Sequence, residues 1–481
     1  MAKVPVIAIT LSRAAAASQR CPLQRESATQ PVDDPIRDVK EIAFLGGGLA
    51  GLALGHYAAR RGLPFRLYEA GPEVGGNCRT FRHKEFLFDS GAHRFHDRDA
   101  AVTEEIRNLV GMDLQPCKIT SVIYREGRLI DFPLSPFNLL RRLGPGTFLK
   151  AAGEVLARRL RGRRPAGDLE SYALQTYGPT LAGLFLLNYS RKLWGLDCRQ
   201  ISANATGKRL NGLSLKTFIT EALLGRRAKT RHLDGEFLYP RLGIGTIADR
   251  LRDSCGPENI RLQARITRIL HNGRRIQAFE IDGSERVEVD RVVTTLPLTA
   301  FVRQMHPAPP EEILAQAGQI RFRGLILVAL FLSAPRITAF GTVYFPGLEF
   351  PFTRVYEPKN RSQEMAPAGQ TSLVAEIPCQ ENEATWQMDD SELIRLVRSH
   401  LRPLGWFQDH QVIEGQVLRL KHAYPVLEKG IESKVERVSG YLNSFENLAQ
   451  CGRNATVLHS SRHDVIRQGT EVVESLPASL C

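Results

Sequence analysis

The pattern of apolar and polar positions predicts a strand, a turn, a helix and a second strand near the start of the chain. Residues 42–45 (IAFL) are a short apolar run, which is typical of a parallel strand buried on both faces. Glycines follow at once, and apolar residues then recur at helical spacing from residue 49 to 61. Gly62 ends that helix, and residues 65–68 (FRLY) predict the second strand. This unit indicates an α/β fold with a parallel sheet.

The pattern changes twice further along the chain. After about residue 100 it becomes helical and basic, and it stays so through about residue 235. Short β-type runs return over residues 260–293, with a hairpin-like turn at Asn272 and Gly273. Three more runs predict strands of a further sheet: 325–332, 342–345 and 372–377. The alternation predicts a nucleotide-binding domain that the chain leaves and re-enters.

The glycines after the first strand form G-x-G-x-x-G, as Gly46, Gly48 and Gly51. In this setting they permit a tight turn, a close approach of the backbone to a diphosphate, and close packing of helix on strand. The free N–H groups of the helix start then face the anion. Glu69 lies 18 residues after Gly51, at the end of the second strand, where a carboxylate can accept both ribose hydroxyls of an adenosine. The sequence therefore predicts a dinucleotide site.

A second glycine motif indicates which dinucleotide binds. Residues 73–80 (EVGGNCRT) place Gly75 and Gly76 just past the second strand, followed by Arg79 and Thr80. The stretch resembles the G-G-x-x-R-[ST] signature of the amine oxidase and protoporphyrinogen oxidase superfamily of flavoproteins. Glycines there let the backbone run against the cofactor, and Arg79 supplies a cation for a diphosphate. Nicotinamide dehydrogenases lack this signature, so the resemblance implies FAD.

Other segments resemble UDP-galactopyranose mutases, which belong to the same superfamily. Residues 88–97 (FDSGAHRFHD) are similar to their G-x-H-x-F-H segment, which lies beside the isoalloxazine ring. The resemblance implies that position for Gly91, His93, Phe95 and His96. Residues 446–469 resemble the closing flavin segment of the superfamily, a strand, Gly-Arg and a helix. By that match the further cofactor contacts are Gly452, Arg453 and His463.

The resemblance also implies substrate residues. Residues 188–195 (NYSRKLWG) resemble a Tyr-[Thr/Ser]-x-Lys-x-Trp segment of the mutases, which points to Trp194. Residues 352–359 (FTRVYEPK) look like their F-T-R-x-x-E segment, whose arginine holds a diphosphate, so Arg354 is the predicted anion-binding residue. Tyr424 is a further substrate candidate. Residues 238–251 (LYPRLGIGTIADRL) are instead similar to protoporphyrinogen oxidase-like proteins.

The resemblance runs from about residue 41 to 470 and implies the architecture. We expect an α/β protein: a Rossmann-type FAD-binding domain of the glutathione-reductase-like flavoprotein fold with an inserted mixed α+β substrate domain. The FAD-binding domain is expected to be discontinuous, and the substrate domain to combine a helical basic lobe with a β-sheet. The predicted divisions are a disordered leader 1–38, FAD-binding segments 39–100, 240–300 and 440–470, substrate segments 101–239 and 301–439, and a tail 471–481.

Three functions stay open on the sequence. The first is an FAD-dependent oxidoreductase, similar to amine and protoporphyrinogen oxidases, that transfers a hydride from an organic substrate to flavin. Its candidate catalytic residues are His93, Arg354 and Tyr424, and no residue is singled out as a general base. The second is a redox-neutral mutase-like enzyme acting on a nucleotide sugar. Against it, residues 372–379 (SLVAEIPC) lack the second arginine that the mutases carry there. The third is a non-enzymatic FAD-binding protein.

The charge of the chain concerns the partner rather than the cofactor. The formal net charge is +13, and two segments hold nearly all of it. Residues 141–164 have eight basic residues and one acidic residue, and residues 208–241 have eight and three. A solvated face, an entrance for an anionic small-molecule substrate and a peripheral membrane contact stay open. Nucleic acid is not expected, because no zinc-finger spacing or aromatic ribonucleoprotein motif is present.

Cysteine usage and hydropathy predict the compartment. The eight cysteines lie far apart without a CxxC pair, which fits neither a disulfide scaffold nor a metal site. The longest apolar run, residues 324–332, is about half of the roughly 20 residues that a membrane-spanning helix needs. We therefore expect reduced thiols, no metal and a cytoplasmic protein. The oligomeric state is not predicted.

Overall fold

The structure is a computed structural model that describes residues 41–132, 134, 136–160, 162, 165–205, 236–458 and 460–476. The strands of these residues are, in chain order, β1 (Ile42–Leu45), β2 (Phe65–Tyr68), β3 (Thr80–His83), β4 (Phe86–Asp89), β5 (Leu114–Lys118), β6 (Ser121–Arg125), β7 (Arg128–Phe132), β8 (Glu236–Pro240), β9 (Ile260–Arg261), β10 (Ile266–His271), β11 (Ile276–Ile281), β12 (Glu285–Glu288), β13 (Arg291–Thr294), β14 (Met305–His306), β15 (Phe322–Leu332), β16 (Thr342–Tyr344), β17 (Arg354–Tyr356), β18 (Thr371–Cys379), β19 (Val412–Pro425) and β20 (Leu448–Gln450). The helices are α1 (Leu49–Arg60), α2 (Ala100–Val110), α3 (Pro136–Leu143), α4 (Pro145–Leu160), α5 (Leu169–Leu181), α6 (Asn188–Trp194), α7 (Gly245–Cys255), α8 (Leu298–Gln304), α9 (Glu311–Gly318), α10 (Ala384–Gln387), α11 (Asp390–Leu401), α12 (Ile431–Asn443), α13 (Arg453–Thr456) and α14 (Arg462–Ser475).

A five-stranded parallel sheet carries the predicted nucleotide-binding unit. Its strand order is β20-β13-β1-β2-β9, so its strands come from three separate stretches of the chain. All four residues of β1 are buried, as the apolar run predicted. Ile42 and Phe44 pack in one core cluster with residues of α1, α7 and α14, while Ala43 and Leu45 belong to the cluster on the other face. The alternation of side chains along the strand thus gives both faces a core.

The other face of this sheet packs against a second, four-stranded sheet. Its order is β12-β11-β10-β14, and β10 and β11 form an antiparallel pair around the predicted turn at Asn272 and Gly273. Phe279 of β11 is fully buried, and its ring lies edge-on to Tyr68 of β2 with 4.9 Å between centroids. Helices α8, α9 and α12 contribute to the same cluster.

A seven-stranded sheet, β19-β15-β18-β17-β16-β6-β7, forms the remaining β structure. All of its pairs are antiparallel except β6 with β16. One face packs on α11, whose Leu393, Val397 and Leu401 are fully buried. The opposite face packs against the β3-β4 hairpin through Phe86 and Phe88. That second face also carries the polar residues of the candidate site.

Two sequence expectations differ from the structure. The stretch after residue 100 is not uniformly helical, because residues 114–132 form β5, β6 and β7. Residues 121–132 contain a Glu126-Gly127 turn in which both residues have positive φ, and the resulting hairpin extends the large sheet. The predicted tail 471–481 is also partly helical, because α14 continues to Ser475 and buries Val473.

Several expectations concern residues that the structure does not describe. The described residues do not include the predicted leader 1–38. They also lack residues 206–235 of the second basic segment and three arginines of the first, Arg161, Arg163 and Arg164. Within the described ranges, none of the helices combines the length and the apolar character that a membrane crossing would need. The same ranges contain no group of His, Cys, Asp or Glu side chains suited to a metal ion.

Candidate functional site

The glycine turn after β1 has the geometry that the motif predicts. Gly46 has a φ of +101°, and its N–H donates to the carbonyl of Tyr68 at 2.8 Å. A Cβ on Gly51 would lie 1.9 Å from the carbonyl oxygen of Gly46, so only glycine fits there. Gly48 is the N-cap of α1 and has no side chain with which to cap it. The N–H groups of the first helical turn are therefore available to an anion.

The second glycine pair lies directly against this turn. The Gly75 N–H donates to the carbonyl of Gly47 at 2.8 Å, and Gly48 and Gly75 form a parallel bridge. A Cβ on Gly76 would lie 3.1 Å from the Cα of Gly48. Two segments that are apart in the sequence thus form one backbone wall without side chains. This wall fits the diphosphate of a dinucleotide, which needs a close approach to backbone N–H groups.

Glu69 stands at the end of β2, beside the same wall. Its carboxylate accepts the N–H of Gly47 at 2.7 Å through Oε2 and the N–H of Gly71 at 2.8 Å through Oε1. A carboxylate has about four acceptor positions, so acceptor capacity remains on both oxygens. The side chain is half-buried and held by two loops. Its contact with a ribose stays a prediction.

Arg79 and Thr80 follow the second glycine pair and have different surroundings. Arg79 forms an ion pair with the exposed Glu73, and its guanidinium lies 5.0 Å from the centroid of the Phe81 ring. Thr80 donates to Asp89 at 2.7 Å and accepts the N–H of Gly245 at 2.8 Å. Both side chains are adjacent to the backbone wall. Their contact with a cofactor stays a prediction.

The closing segment reaches the start of α1. A Cβ on Gly452 would lie 2.6 Å from the Cβ of Ala50 in the first turn of that helix. Arg453 donates to the carbonyl of Ala423 at 2.8 Å, and its guanidinium lies 5.8 Å from the centroid of the Tyr424 ring. The turn thus connects the backbone wall to the end of β19. It brings two predicted cofactor residues and one predicted substrate residue together.

His463 lies away from this group, in the first turn of α14, where its ring contacts α2. Its ring stacks on Phe95 with 4.1 Å between centroids, and its Nε2 lies 3.1 Å from the Oγ1 of Thr103. Burial lowers the pKa of His463 to about 4, although Asp97 and Asp99 oppose the shift. The imidazole is therefore neutral near pH 7. These contacts give His463 a packing role, and its contact with a cofactor stays a prediction.

Arg354 lies at the centre of the predicted substrate residues. In the large sheet, Tyr344, Arg354 and Glu376 are direct neighbours on adjacent strands and share one face. The Nε of Arg354 donates to the Oε2 of Glu376 at 2.6 Å, and its Nη2 lies 3.3 Å from the hydroxyl of Tyr424. Trp194 is buried, and its ring lies edge-on to Tyr424 at 6.5 Å. The structure therefore brings together all three residues that the resemblance assigned to the substrate.

Glu376 connects this group to the predicted flavin segment. Its Oε1 accepts the N–H of Ala92 at 2.6 Å, and a Cβ on Gly91 would lie 3.3 Å from the same oxygen. The Nε2 of His93 lies 3.0 Å from the Oγ of Ser90. Burial lowers the pKa of His93 well below its ordinary value, and arginines around it, Arg462, Arg354, Arg361 and Arg453, add to the shift. The histidine is thus neutral within a positively charged surrounding.

The sequence reasoning missed two buried acids of this region. Glu376 is 1% exposed and lies in a strand of otherwise apolar and small residues. Asp89 is fully buried and accepts hydrogen bonds from the Tyr239 hydroxyl at 2.6 Å and the Ile244 N–H at 3.0 Å, in addition to Thr80. Burial raises the pKa of Asp89. In both cases the available signal was a single acid in an apolar strand, which predicts a specific buried partner.

The residues that follow Arg354 in the F-T-R-x-x-E segment have structural partners. The carboxylate of Glu357 is fully buried and accepts the N–H groups of Ile337 at 2.9 Å and Thr338 at 2.7 Å. Lys359 donates to the carbonyls of Pro367 at 2.8 Å and Gln370 at 2.7 Å. In the F-T-R-x-x-E segment, the glutamate therefore holds the loop between β15 and β16, while Arg354 faces the candidate site.

The chain matches the model of a known protein family. The model of the family described as flavin containing amine oxidoreductase matches residues 49–422, most of the chain. Among curated proteins, the zeta-carotene-forming phytoene desaturase of Myxococcus xanthus is 21% identical over 410 residues, covering 76% of this chain and 78% of that protein. Protoporphyrinogen oxidase 2 of Arabidopsis thaliana is 28% identical over 104 residues, 21% of this chain. The matched segment spans 20% of the length of the Arabidopsis oxidase and, for a possible lysine-specific histone demethylase 1 of Drosophila melanogaster, 10% of that protein's length.

Solved structures share the fold over almost the entire described chain. A reduced UDP-galactopyranose mutase superposes with a TM-score of 0.79 at 18% identity, covering 90% of this chain and 93% of the mutase. Cyclohexylamine oxidase from Brevibacterium oxydans superposes with a TM-score of 0.65 at 13% identity, covering 91% and 98%. At these identities the likeness concerns the fold alone: a Rossmann-type FAD-binding fold with a mixed substrate domain.

Proposed function

Since the chain belongs to the family of flavin-containing amine oxidoreductases, we propose that it is an FAD-dependent oxidoreductase in which bound FAD accepts a hydride from an anionic organic substrate. The observation that carries the proposal is the continuity of the two parts of the site. Gly452 packs against the start of α1 beside the backbone wall, the next residue Arg453 lies over the ring of Tyr424, and the Tyr424 hydroxyl is within hydrogen-bond distance of Arg354. Arg354 in turn pairs with Glu376, which lies against Gly91.

The residues that would hold FAD are those of the glycine wall. The turn at Gly46 and Gly48 and the first helical turn of α1, which contains Gly51, would supply N–H groups and the positive end of the helix to the diphosphate. Glu69 accepts ribose hydroxyls with the acceptor capacity that its two loop contacts leave. Because a Cβ at Gly51 would overlap a carbonyl oxygen, the fit depends on glycine itself.

Arg354 is the proposed binding residue for the substrate anion. Its Nε is used by Glu376, while Nη2 is directed to the Tyr424 hydroxyl. A guanidinium has five N–H donors, so three remain for a carboxylate or phosphate group of the substrate. Glu376 keeps the plane of the guanidinium in one orientation, and orientation of the substrate is the main contribution that the protein makes to such a reaction.

Tyr424 and Trp194 are proposed to position the remainder of the substrate. Their rings lie edge-on, and Trp194 is 4% exposed, so this side of the site is apolar and excludes water. His93 is neutral because of its burial, so it can donate or accept a hydrogen bond without adding a positive charge. We propose that it orients the adjacent backbone rather than transferring a proton.

The positive surroundings favour some substrate classes over others. After burial, four arginines contribute to lowering the pKa of His93, whereas the buried acids of this region are Glu376 and Asp89. Positive charges therefore outnumber negative charges around the candidate site. Such a site disfavours a protonated amine and favours a substrate with carboxylate or phosphate groups. Porphyrinogens with carboxylate side chains therefore fit better than amines or uncharged carotenoid precursors. The names of the two curated relatives, an oxidase of protoporphyrinogen and a desaturase of phytoene, define classes to test.

The test is anaerobic mixing of the yellow holoenzyme with porphyrinogens, amines, carotenoid precursors and nucleotide sugars. We expect loss of the oxidised flavin absorbance with an anionic compound, and a slower or absent loss with amines. Arg354→Met should weaken this response by raising the substrate concentration for half-maximal bleaching at least tenfold. The matched control is Arg419→Met, because Arg419 pairs with Asp390 and donates to the carbonyl of Trp386, on the face of β19 opposite to Leu418 and Leu420 and away from the group around Arg354.

Three outcomes would contradict all or part of the proposal. If no compound bleaches the flavin, and a sugar ring interconverts only after reduction with dithionite, the protein is a redox-neutral mutase-like enzyme. If the purified protein is colourless and does not take up FAD, it is not a flavoenzyme. Bleaching by amines in preference to anionic compounds would keep the oxidoreductase and reject the anionic substrate.

A further inference from the structure

Two further arginines, the half-buried Arg94 and the buried Arg361, lie apart from Arg354 on the same face of the large sheet. Both guanidiniums meet at the hydroxyl of Thr342 in β16. The Nη2 of Arg94 lies 3.4 Å from the Thr342 Oγ1, and the Nη2 of Arg361 lies 3.3 Å from it. Two positive charges are therefore directed at the same uncharged hydroxyl. Thr342, which carries this hydroxyl, is fully buried.

Neither arginine forms an ion pair or a hydrogen bond with an acid among the residues that the structure describes. Arg94 also donates to the hydroxyl of Ser121, and Arg361 to the carbonyl of Gly341 at 2.9 Å. Arg361 is only 7% exposed, and its Nε and Nη1 are buried without a hydrogen-bond partner in the described part of the chain. Elsewhere in the described residues, the buried Arg323 and Arg354 each form an ion pair with a glutamate. Arg94 and Arg361 have no such ion pair in the described residues.

The surroundings of the pair consist mainly of aromatic rings. The guanidinium of Arg361 lies 4.7 Å from the ring centroid of Tyr356 and 5.8 Å from that of Tyr239, and Arg94 lies 5.3 Å from that of Phe237. Ring faces attract a cation but do not neutralise it. Burial raises the pKa of Asp89, and the nearby charge of Arg361 offsets part of that rise. The carboxylate accepts its hydrogen bonds from Tyr239, Thr80 and Ile244 rather than from a guanidinium.

The pair therefore lacks a hydrogen-bonded anion among the described residues. Burial lowers the pKa of Arg94, and Arg361 and Arg354 add to this shift through repulsion. Neighbouring cations away from water are unfavourable unless an anion lies between or beside them. Guanidinium groups bind oxyanions through paired N–H donors, and the free donors of Arg361 are of that kind.

We propose that Arg94 and Arg361 form an oxyanion-binding site, separate from Arg354, that takes a carboxylate or phosphate group. Thr342 is two residues before Tyr344 in β16, and Tyr344 is the direct neighbour of Arg354. Residues two apart in a strand share a face and are about 7 Å apart, so both sites can contact one ligand. The group is either a second anionic group of the substrate or a free inorganic anion. The first source rests on the proposed function, whereas anion binding itself does not.

The experiment measures thermal unfolding of the holoenzyme during titration with inorganic phosphate, at an ionic strength held constant with a bulky sulfonate. We expect the midpoint of wild-type unfolding to rise by a few degrees and to saturate, because a ligand that binds only the folded state stabilises it. Arg361→Met should abolish the rise, and Arg361→Lys should keep a weaker one. Arg323→Met, the control for a buried arginine, should keep the full rise from a lower starting midpoint.

The comparison without phosphate adds a second readout. Arg361→Met removes one of two repelling charges, so we expect its midpoint to equal or exceed that of the wild type. Arg323→Met leaves Glu383 without its partner and should lower the midpoint. A merely structural role of Arg361 predicts the reverse for Arg361→Met. An equal response of wild type and Arg361→Met to phosphate, or no saturable response of the wild type, would overturn the proposal.

Competition distinguishes the two sources of the anion. If the substrate supplies it, phosphate should raise KM in the bleaching reaction without changing the limiting rate, and Arg361→Met should remove this effect. If a free anion supplies it, KM should be independent of phosphate although the midpoint rises. Both results support the site, and only the first needs the proposed function. A failure of every substrate to bleach the flavin leaves the phosphate titration valid.

Discussion

Arg354 and Glu376 are direct neighbours on β17 and β18, and their side chains form a buried ion pair at 2.6 Å. The second carboxylate oxygen of Glu376 accepts the N–H of Ala92 at the same distance. One acid thus orients the predicted substrate-binding arginine and also holds the segment that the sequence predicted beside the flavin. The two parts of the candidate site are coupled through this single side chain.

Glu376→Gln should therefore destabilise the protein and weaken the response to substrate. The amide keeps the shape but leaves Arg354 buried without a counter-charge, which we expect to lower the free energy of unfolding by about 3 kcal/mol. The measurement is denaturant unfolding of the holoenzyme. Glu312→Gln is the control, since the pair of Glu312 with Arg437 is exposed and should contribute less than about 1 kcal/mol. Equal losses in the two variants would contradict the coupling.

Gly51→Ala should abolish FAD retention. The added methyl would lie 1.9 Å from the carbonyl oxygen of Gly46, so the turn must open, and we expect a loss of about 3 kcal/mol or more. The ratio of flavin to protein absorbance after purification, together with circular dichroism, measures the effect. Gly440→Ala is the control, because no atom within 4 Å opposes its methyl group and alanine is favoured in a helix by about 0.5–1 kcal/mol. Normal FAD content in Gly51→Ala would refute the assigned role of the turn.

His463 should make the protein sensitive to mild acid. Its pKa is lowered by burial to about 4, from an ordinary value of 6.5, so the unfolded chain binds a proton more readily than the folded chain. The stabilisation is complete above pH 6.5 and is lost as the pH falls from 6.5 toward 4, by about 3 kcal/mol. His463→Phe, which keeps the stacking on Phe95, should lose less stability over this interval. Parallel pH profiles of the two proteins in denaturant unfolding check this, and superimposable profiles would rule it out.

The exposed side chains of α4 bear on the open question of the basic segment. Leu149, Leu156 and Leu160 are 68%, 58% and 82% exposed and recur at helical spacing, next to the exposed Lys150. A leucine stripe beside basic residues favours the membrane-surface alternative over a merely solvated face. We expect the protein to bind vesicles containing phosphatidylserine, and less so at high salt.

Replacing these three leucines with serine should reduce vesicle binding at least tenfold. The control replaces two exposed leucines elsewhere, Leu348 and Leu458, which are 58% and 53% exposed. Co-sedimentation with phosphatidylserine vesicles and with phosphatidylcholine vesicles separates the apolar from the electrostatic contribution. If the wild type binds neither vesicle, the segment is a solvated face or borders the substrate entrance.

Local patterns were sufficient to predict the cofactor half of the site. The turn at Gly46–Gly51, the helix that follows and the acid at Glu69 lie within one stretch of about thirty residues, and each depends on interactions between near neighbours. Short-range rules of strand, turn and helix therefore predict them from the sequence. The family resemblance added Gly75, Gly452 and Arg354, and the structure places these residues along one continuous site.

The partners in the substrate half were decided only by the tertiary structure. Glu376 meets Ala92 across 284 residues, and Arg94 meets Thr342 across 248. A single acid in an apolar strand indicates a buried polar group that needs a partner, and so does an arginine in a loop. Neither pattern indicates which residue is that partner. That choice depends on which strands pair and in which register, because a shift of one residue would turn every side chain to the opposite face. The sequence by itself thus determined a dinucleotide-binding fold, and the packing of distant strands decided where its charges meet.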